Sequence, residues 1–180
     1  MIEGDEVTRR VLWSLPTGLY VLGTVGQPGQ GPWNLMTINL VTQVATEPRV
    51  VGFSVESGSV TEALLDQGQV AALSLLARAD RAVVRRFVKP VVDVVIDDHG
   101  TPQELSGHQV QVVASGAPVL SVAAAWLDLA VVGCTRLASH TLYLGEVLGA
   151  SASEAFVDGP ASARAFDVLR MEDTKMSYGG

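Results

Sequence analysis

A single cysteine, Cys134, in 180 residues leaves no partner for an internal disulfide and fits a reducing, cytoplasmic compartment. No nucleophile–base pattern links it to His140, so it reads as a small buried hydrophobe. Long apolar runs are missing too, although 48% of residues are hydrophobic and mean hydropathy is +0.31. The most apolar region, Gln109 to Ala130, is interrupted by Gly116, Pro118, two glutamines and Asp128, whereas a bilayer-spanning helix needs about 20 apolar residues in a row. The opening MIEGDEVTRR places acids before bases with no apolar stretch behind them, which is not a secretory signal. Basic residues are scarce: 12 Lys and Arg against 19 Asp and Glu, a net charge of −7 that argues against a nucleic-acid partner. No G-x-G-x-x-G, G-K-[ST] or G-x-S-x-G occurs, so a Rossmann enzyme, a nucleotide hydrolase and an α/β-hydrolase are unsupported. His99 and His108, with Asp97 and Asp98, lack compact ligand spacing and read as a polar surface loop, not a metal site.

What is present predicts one domain over residues 1–180, mainly β, with no internal repeat or linker. A short helix spans Val7 to Leu15, followed by the turn Pro16-Thr17-Gly18 and a β run from Leu19. The Gly/Pro-rich stretch from Gly26 to Pro32 is a hairpin loop. Leu35 to Ala45 alternates as one strand, with Met36, Ile38 and Leu40 on one face and Leu35, Thr37, Asn39 and Val41 on the other. After a Glu47-Pro48 turn, Arg49 to Val55 returns antiparallel. Ser59 and Glu62 have capping-box spacing for a helix to about Gln67, and Val70 to Leu76 is a buried strand. A second helix, capped by Asp80, runs to Val88 and stops at Pro90. Its inward residues are Val83, Val84 and Phe87. Strands follow at Gln109–Ala114, Leu120–Val132, Leu142–Gly149 and Ala165–Met171. Many short strands with two brief helices predict a closed or partly closed antiparallel barrel. The surplus apolar surface predicts a homodimer.

Three groups of residues bear on chemistry. The first is Asn34, Met36, Thr37, Ile38 and Asn39, whose strand amides and small polar side chains can bond the edge of a flat heteroaromatic ring. Thr37 and Asn39 fit equally well as plain solvent-facing strand residues. The second is Ser57, Gly58, Ser59 and Thr61 at a helix start, either an ordinary N-cap or a seat for a phosphate. The third is a basic stripe. Five of the twelve Lys and Arg (Arg78, Arg81, Arg85, Arg86 and Lys89) fall in one twelve-residue stretch, with Arg81, Arg85 and Lys89 four residues apart. Such a stripe is a solvated face or a phosphate clamp.

Four segments in order resemble the flavin reductase-like family of FMN-binding split β-barrels. They are PTGLYVLGT from Pro16, NLMTINLVTQVATEP from Asn34, SGAPVLSVAAAWLDLAVV from Ser115 and SHTLYLGEV over Ser139–Val147, with Tyr178-Gly179-Gly180 similar to the family's end. The chain departs from the family pattern at Glu47 in place of a first proline, Asn39 in place of a hydroxyl, and Ala45 in place of a serine. The resemblance implies an antiparallel Greek-key split β-barrel with a few short α-helices, binding FMN or alternatively FAD, with NAD(P)H as co-substrate. It implies a homodimer with flavin near the subunit junction, an NAD(P)H:flavin oxidoreductase activity, and a monooxygenase partner supplied with reduced flavin. Asn34, Met36, Thr37, Ile38 and Asn39 would then hold the ring, and Ser57, Ser59, Thr61, Arg85 and Lys89 the phosphate. His140 would face the nicotinamide, in contrast to the structural or surface role that a lone histidine usually has. Other readings on the same residues are a flavin carrier or sensor without turnover, and a flavoprotein with another electron donor or acceptor.

Overall fold

The computed structural model describes residues 3–157 and 167–174. Its chain order begins with α1 (Asp5–Trp13), β1 (Tyr20–Gln27), β2 (Gly31–Ile38), β3 (Val41–Thr46), β4 (Arg49–Glu56), α2 (Val60–Gly68) and β5 (Val70–Leu75). It continues through β6 (Val94–Ile96), β7 (Pro102–Leu105), β8 (His108–Val112), β9 (Pro118–Leu120), β10 (Ala125–Arg136), β11 (His140–Ala152) and α3 (Glu154–Val157). The architecture is mainly β. One antiparallel sheet has the order β2-β1-β5-β10-β11-β4-β3, and a smaller one has the order β6-β7-β8-β9. The edge strands of the large sheet, β2 and β3, are consecutive in sequence and joined by only Asn39 and Leu40, so the two edges meet at that corner.

Two apolar clusters follow from the alternation of side chains along the strands. Leu22, Ile38, Phe53, Leu73, Leu129 and Tyr143 come from six strands and fill the inner face of the large sheet, with Leu65 of α2 among them. Phe53 stacks on Tyr143, with centroids 5.8 Å apart and planes 17° from parallel. On the opposite face Val21, Leu35, Leu76, Val84, Phe87, Leu105 and Leu120 pack the small sheet and the basic segment against β1 and β2. Close approach there requires glycine. A Cβ on Gly23 would sit 1.8 Å from the Pro118 carbonyl oxygen, and one on Gly68 would sit 1.9 Å from that of Val25.

The strand predicted over Leu35–Ala45 is interrupted at Asn39–Leu40. There the Val41 N–H bonds the Asn39 carbonyl at 2.9 Å, which turns Val41 onto the face of Ile38 instead of that of Leu35. The predicted Leu120–Val132 strand is likewise two strands. They are separated by a turn in which the Ala123 N–H bonds the Leu120 carbonyl at 3.0 Å. The second helix is replaced by two 3₁₀ turns, Arg78–Asp80 and Val83–Val88, and Asp80 caps neither. Phe87 leaves helical geometry altogether (φ −103°, ψ 19°). Part of the predicted Ala165–Met171 strand lies outside the described residues, and Val168 and Arg170 make only isolated bridges, to Ala77 and Gly18. Cys134 is exposed, not buried, because β10 runs beyond the core toward its hairpin with β11. Among the described residues no helix is long and apolar enough to cross a membrane.

Candidate functional site

Asn34 is the pivot of the predicted ring-binding strand. Its side chain is buried, donating from Nδ2 to Thr61 Oγ1 of α2 at 3.1 Å and accepting the Val91 N–H at Oδ1 at 2.9 Å. Thr61 in turn donates to the Met36 sulfur at 3.3 Å. Three residues along β2, the buried Thr37 hydroxyl donates to the Val84 carbonyl. The segment 84–91 is therefore tied to β2 at both ends, which holds Arg85 and Lys89 beside Asn34 and Thr37. Both cations are exposed. Ile38 is only 4% exposed within the inner cluster, and Asn39 is half-buried at the chain corner. Because β2 is an edge strand, it also carries backbone donors and acceptors that no neighbouring strand of its sheet takes.

The basic stripe divides into paired and unpaired members. Arg78 bonds Asp173 at 2.8 Å and Asp167 at 3.1 Å, and Arg86 bonds the Ser106 carbonyl at 3.1 Å. Among the described residues no carboxylate lies within ion-pair distance of Arg81, Arg85 or Lys89. Arg81 and Arg85 line a cavity of about 440 Å³ with Ala82, Asp173 and Thr174.

At the helix start, Ser59 Oγ accepts the Glu62 N–H at 3.1 Å, as its capping spacing predicts. The neighbouring backbone donors are already engaged. Ser57 N–H bonds the Ser139 carbonyl at 3.0 Å, Gly58 N–H bonds Glu62 Oε2 at 2.6 Å, and Ser59 N–H bonds the Glu56 carbonyl at 3.3 Å. What this loop offers an anion is therefore the Ser57 and Ser59 hydroxyls and the positive end of α2. The bond from Ser57 to Ser139 brings His140 into the same corner. His140 is paired with Glu56 in the β4–β11 register, half-buried, with Nδ1 3.0 Å from Ser139 Oγ. The predicted residues thus gather into two groups linked by the first turn of α2. One is Asn34, Met36, Thr37, Thr61, Arg85 and Lys89; the other is Ser57, Ser59 and His140. Ile38 stands apart in the core, and Asn39 lies at the β2–β3 corner outside both groups.

Sequence reasoning missed a polar network behind this corner. Glu62 Oε1 accepts from the buried Thr141 hydroxyl and from Arg136 Nη1 at 2.9 Å. Asp66 accepts from Arg136 Nη2 at 2.7 Å and from the Tyr143 hydroxyl at 2.8 Å. The Thr141 and Gly58 bonds lead the causes that hold the Glu62 carboxyl below the usual carboxylate range, and the Arg136 bond leads for Asp66. Burial first, then the bond to Asp66, push the Tyr143 phenol upward. The available signal was the i,i+4 acid pair Glu62/Asp66 and the i,i+2 pair Thr141/Tyr143, each placing two polar groups on one face.

A second cavity, of about 490 Å³, opens beside the inner cluster between Tyr20, Val41, Val51, Leu73, Leu127 and Val147. None of the predicted site residues lines it, and its walls are mostly apolar, with Arg49, Thr42 and Gln43 among them. The β2–α2–84–91 corner holds the predicted cations and hydroxyls, the groups that a phosphorylated cofactor requires. Guanidinium and ammonium groups with no carboxylate partner among the described residues, together with the Ser57 and Ser59 hydroxyls, are a donor set that fits a flat ring with an anionic tail.

A model of the flavin reductase like domain matches residues 12–163. An NADH-dependent FAD reductase of Streptomyces globisporus is 29% identical over 143 residues, which cover 79% of this chain and 74% of that protein. The NADH-dependent flavin reductase StyB of Pseudomonas fluorescens is 28% identical over 152 residues, 84% of this chain and 81% of the relative. The solved styrene monooxygenase flavin reductase of Pseudomonas putida S12 superimposes with a TM-score of 0.64 at 26% identity, covering 81% of this chain and 86% of that one. With the domain model spanning most of its length, the chain belongs to the flavin reductase-like family.

Proposed function

We propose that this protein is an NAD(P)H:flavin oxidoreductase that binds FMN, with FAD as the alternative. The observation that carries the reading is the attachment of the 84–91 segment to β2 through Thr37 and Asn34, which supports a role for the exposed Arg85 and Lys89 of that segment at the β2 corner. Met36 and Asn39 would border the ring, with Asn34 and Thr37 acting through the segment they hold and the Ile38 side chain packed in the core beneath. Ser57, Ser59, Arg85 and Lys89 would receive the phosphate. His140 would border the nicotinamide, donating a hydrogen bond that fixes its approach. When bound, the flavin supplies the redox chemistry, accepting a hydride from the nicotinamide. The protein's part is alignment of the two rings and neutralisation of phosphate charge.

The meeting of β2 and β3 at Asn39–Leu40 supports a Greek-key split barrel made from one domain over residues 1–180. Exposed Val44 and Leu148 lie on the strands that frame the apolar cavity, and they support a homodimer that covers them. The exposed thiol of Cys134 suits a reducing cytoplasm. Relatives named for monooxygenase systems support a partner oxygenase that consumes the reduced flavin. Oxidation of NADH or NADPH in the presence of FMN and then FAD tests the function. Turnover with one of the flavins is expected, and flavin binding without turnover with either nicotinamide would replace the enzyme by a carrier.

A further inference from the structure

We propose that Glu62 is a positioning residue that locks the His140 strand to the Ser57–Ser59 loop, an inference that rests on the reading of both as parts of the nicotinamide and phosphate site. In a reciprocal capping box Glu62 would bond the Ser59 N–H. Instead one oxygen takes the Gly58 N–H at 2.6 Å, while the other takes the Thr141 hydroxyl, on the residue directly after His140. Glu62 is 8% exposed and Thr141 fully buried, so the carboxylate cannot let go of Thr141 without leaving a buried hydroxyl unsatisfied, whereas Gly58 is exposed. Arg136, two-pronged across Glu62 and Asp66, supplies the countercharge from the far side of the same hairpin.

The arrangement divides into an inner and an outer part. Glu62 touches the two segments that carry site residues. Among the described residues the Asp66 carboxylate, one turn further along α2, bonds Arg136 and Tyr143 and neither the loop nor Thr141. Loss of the inner bonds removes the side-chain tie between β11 and the loop and loosens His140 there, with the Ser57–Ser139 bond and the His140–Glu56 pairing still in place; loss of the outer ones loosens α2 against Tyr143, three residues further along the same strand.

The test compares Glu62→Gln, Thr141→Val, Thr141→Ser and Asp66→Asn in the full chain. It records melting temperature, flavin affinity, and steady-state kcat and KM for NADH. Amide exchange is also followed at residues 57–58 and 139–141 without cofactor. Glu62→Gln and Thr141→Val should raise the KM for NADH about tenfold, the scale of one charge-assisted bond, with a smaller change in kcat. Exchange at the two segments should rise together in these variants, and Thr141→Ser should restore both readouts. Asp66→Asn should lower the melting temperature comparably while leaving KM within about twofold. A KM that tracks melting temperature across all variants, or that moves in none, overturns the proposal and leaves a scaffold network. Should Glu62→Gln fail to fold, Thr141→Val decides alone. A wild-type chain that oxidises neither nicotinamide overturns the underlying function and this role with it, and that failure is visible before any substitution is made.

Discussion

Replacing Asn34 by alanine removes a side chain that joins β2, α2 and the 84–91 segment. Two hydrogen bonds are lost, at 3.1 Å to Thr61 and 2.9 Å from Val91. Each is worth about 1 kcal/mol net, and the Val91 N–H is left without its acceptor at a further cost of about 1–3 kcal/mol. Asn34 is 3% exposed, so water cannot take over without opening the site. The expected destabilisation is about 3–5 kcal/mol, read as a lower urea midpoint at an unchanged slope. Asn34→Asp separates the two bonds: it keeps the acceptor for Val91 and loses the donor to Thr61, so part of the loss should be recovered if the carboxylate's burial is tolerated. Flavin affinity should fall in Asn34→Ala as well, because Arg85 and Lys89 lose one of the two ties that hold their segment. A loss below about 0.5 kcal/mol with unchanged flavin affinity would refute the pivot, since that is the range of ordinary surface substitutions.

Arg85→Ala and Lys89→Ala should each weaken binding of FMN or of the nicotinamide by about 1–3 kcal/mol in a titration, and unchanged affinities for both would return the residue to a solvated face. The Glu62 and Asp66 carboxyls are held below their ordinary range, so their contribution to stability is fully present above that range and is lost as pH falls through the lowered values. Thermal melts should accordingly show an acid limb that flattens in Glu62→Gln/Asp66→Asn, and an unaltered limb would remove these groups as its source. His140→Ala should slow flavin reduction and raise the KM for NAD(P)H with little change in flavin affinity; wild-type values for both would make it a structural histidine.

Much of the fold is legible in local pattern. Ser59 and Glu62 mark the start of α2, and the alternation of Leu35, Met36, Thr37 and Ile38 is realised as two buried faces of β2. Where the reading breaks, long-range contacts decide. A helix over 80–88 fits the spacing of Val83, Val84 and Phe87. Yet the Val84 carbonyl accepts the Thr37 hydroxyl, 47 residues away in sequence, in a valine-rich stretch of weak helix propensity. The step from Asn39 to Val41 carries no sequence mark, because a two-residue corner without Gly or Pro looks like continued alternation. In the site, Asn34 and Thr37 are visible as polar residues in a strand, but their partners are a backbone N–H and a backbone carbonyl that no pattern announces. The Glu62–Arg136 pair spans 74 residues and becomes apparent only once the β10–β11 hairpin is laid against α2.

The proposed function requires this corner of the fold to bring a nicotinamide and a flavin together for hydride transfer. Anaerobic mixing of the purified chain with FMN or FAD and NADH or NADPH, followed by absorbance, tests it most directly. Catalytic bleaching of the flavin, matched one to one by loss of the reduced nicotinamide and accelerated over the protein-free mixture, is the expected result. Flavin that binds and keeps its oxidised spectrum with both nicotinamides would contradict it.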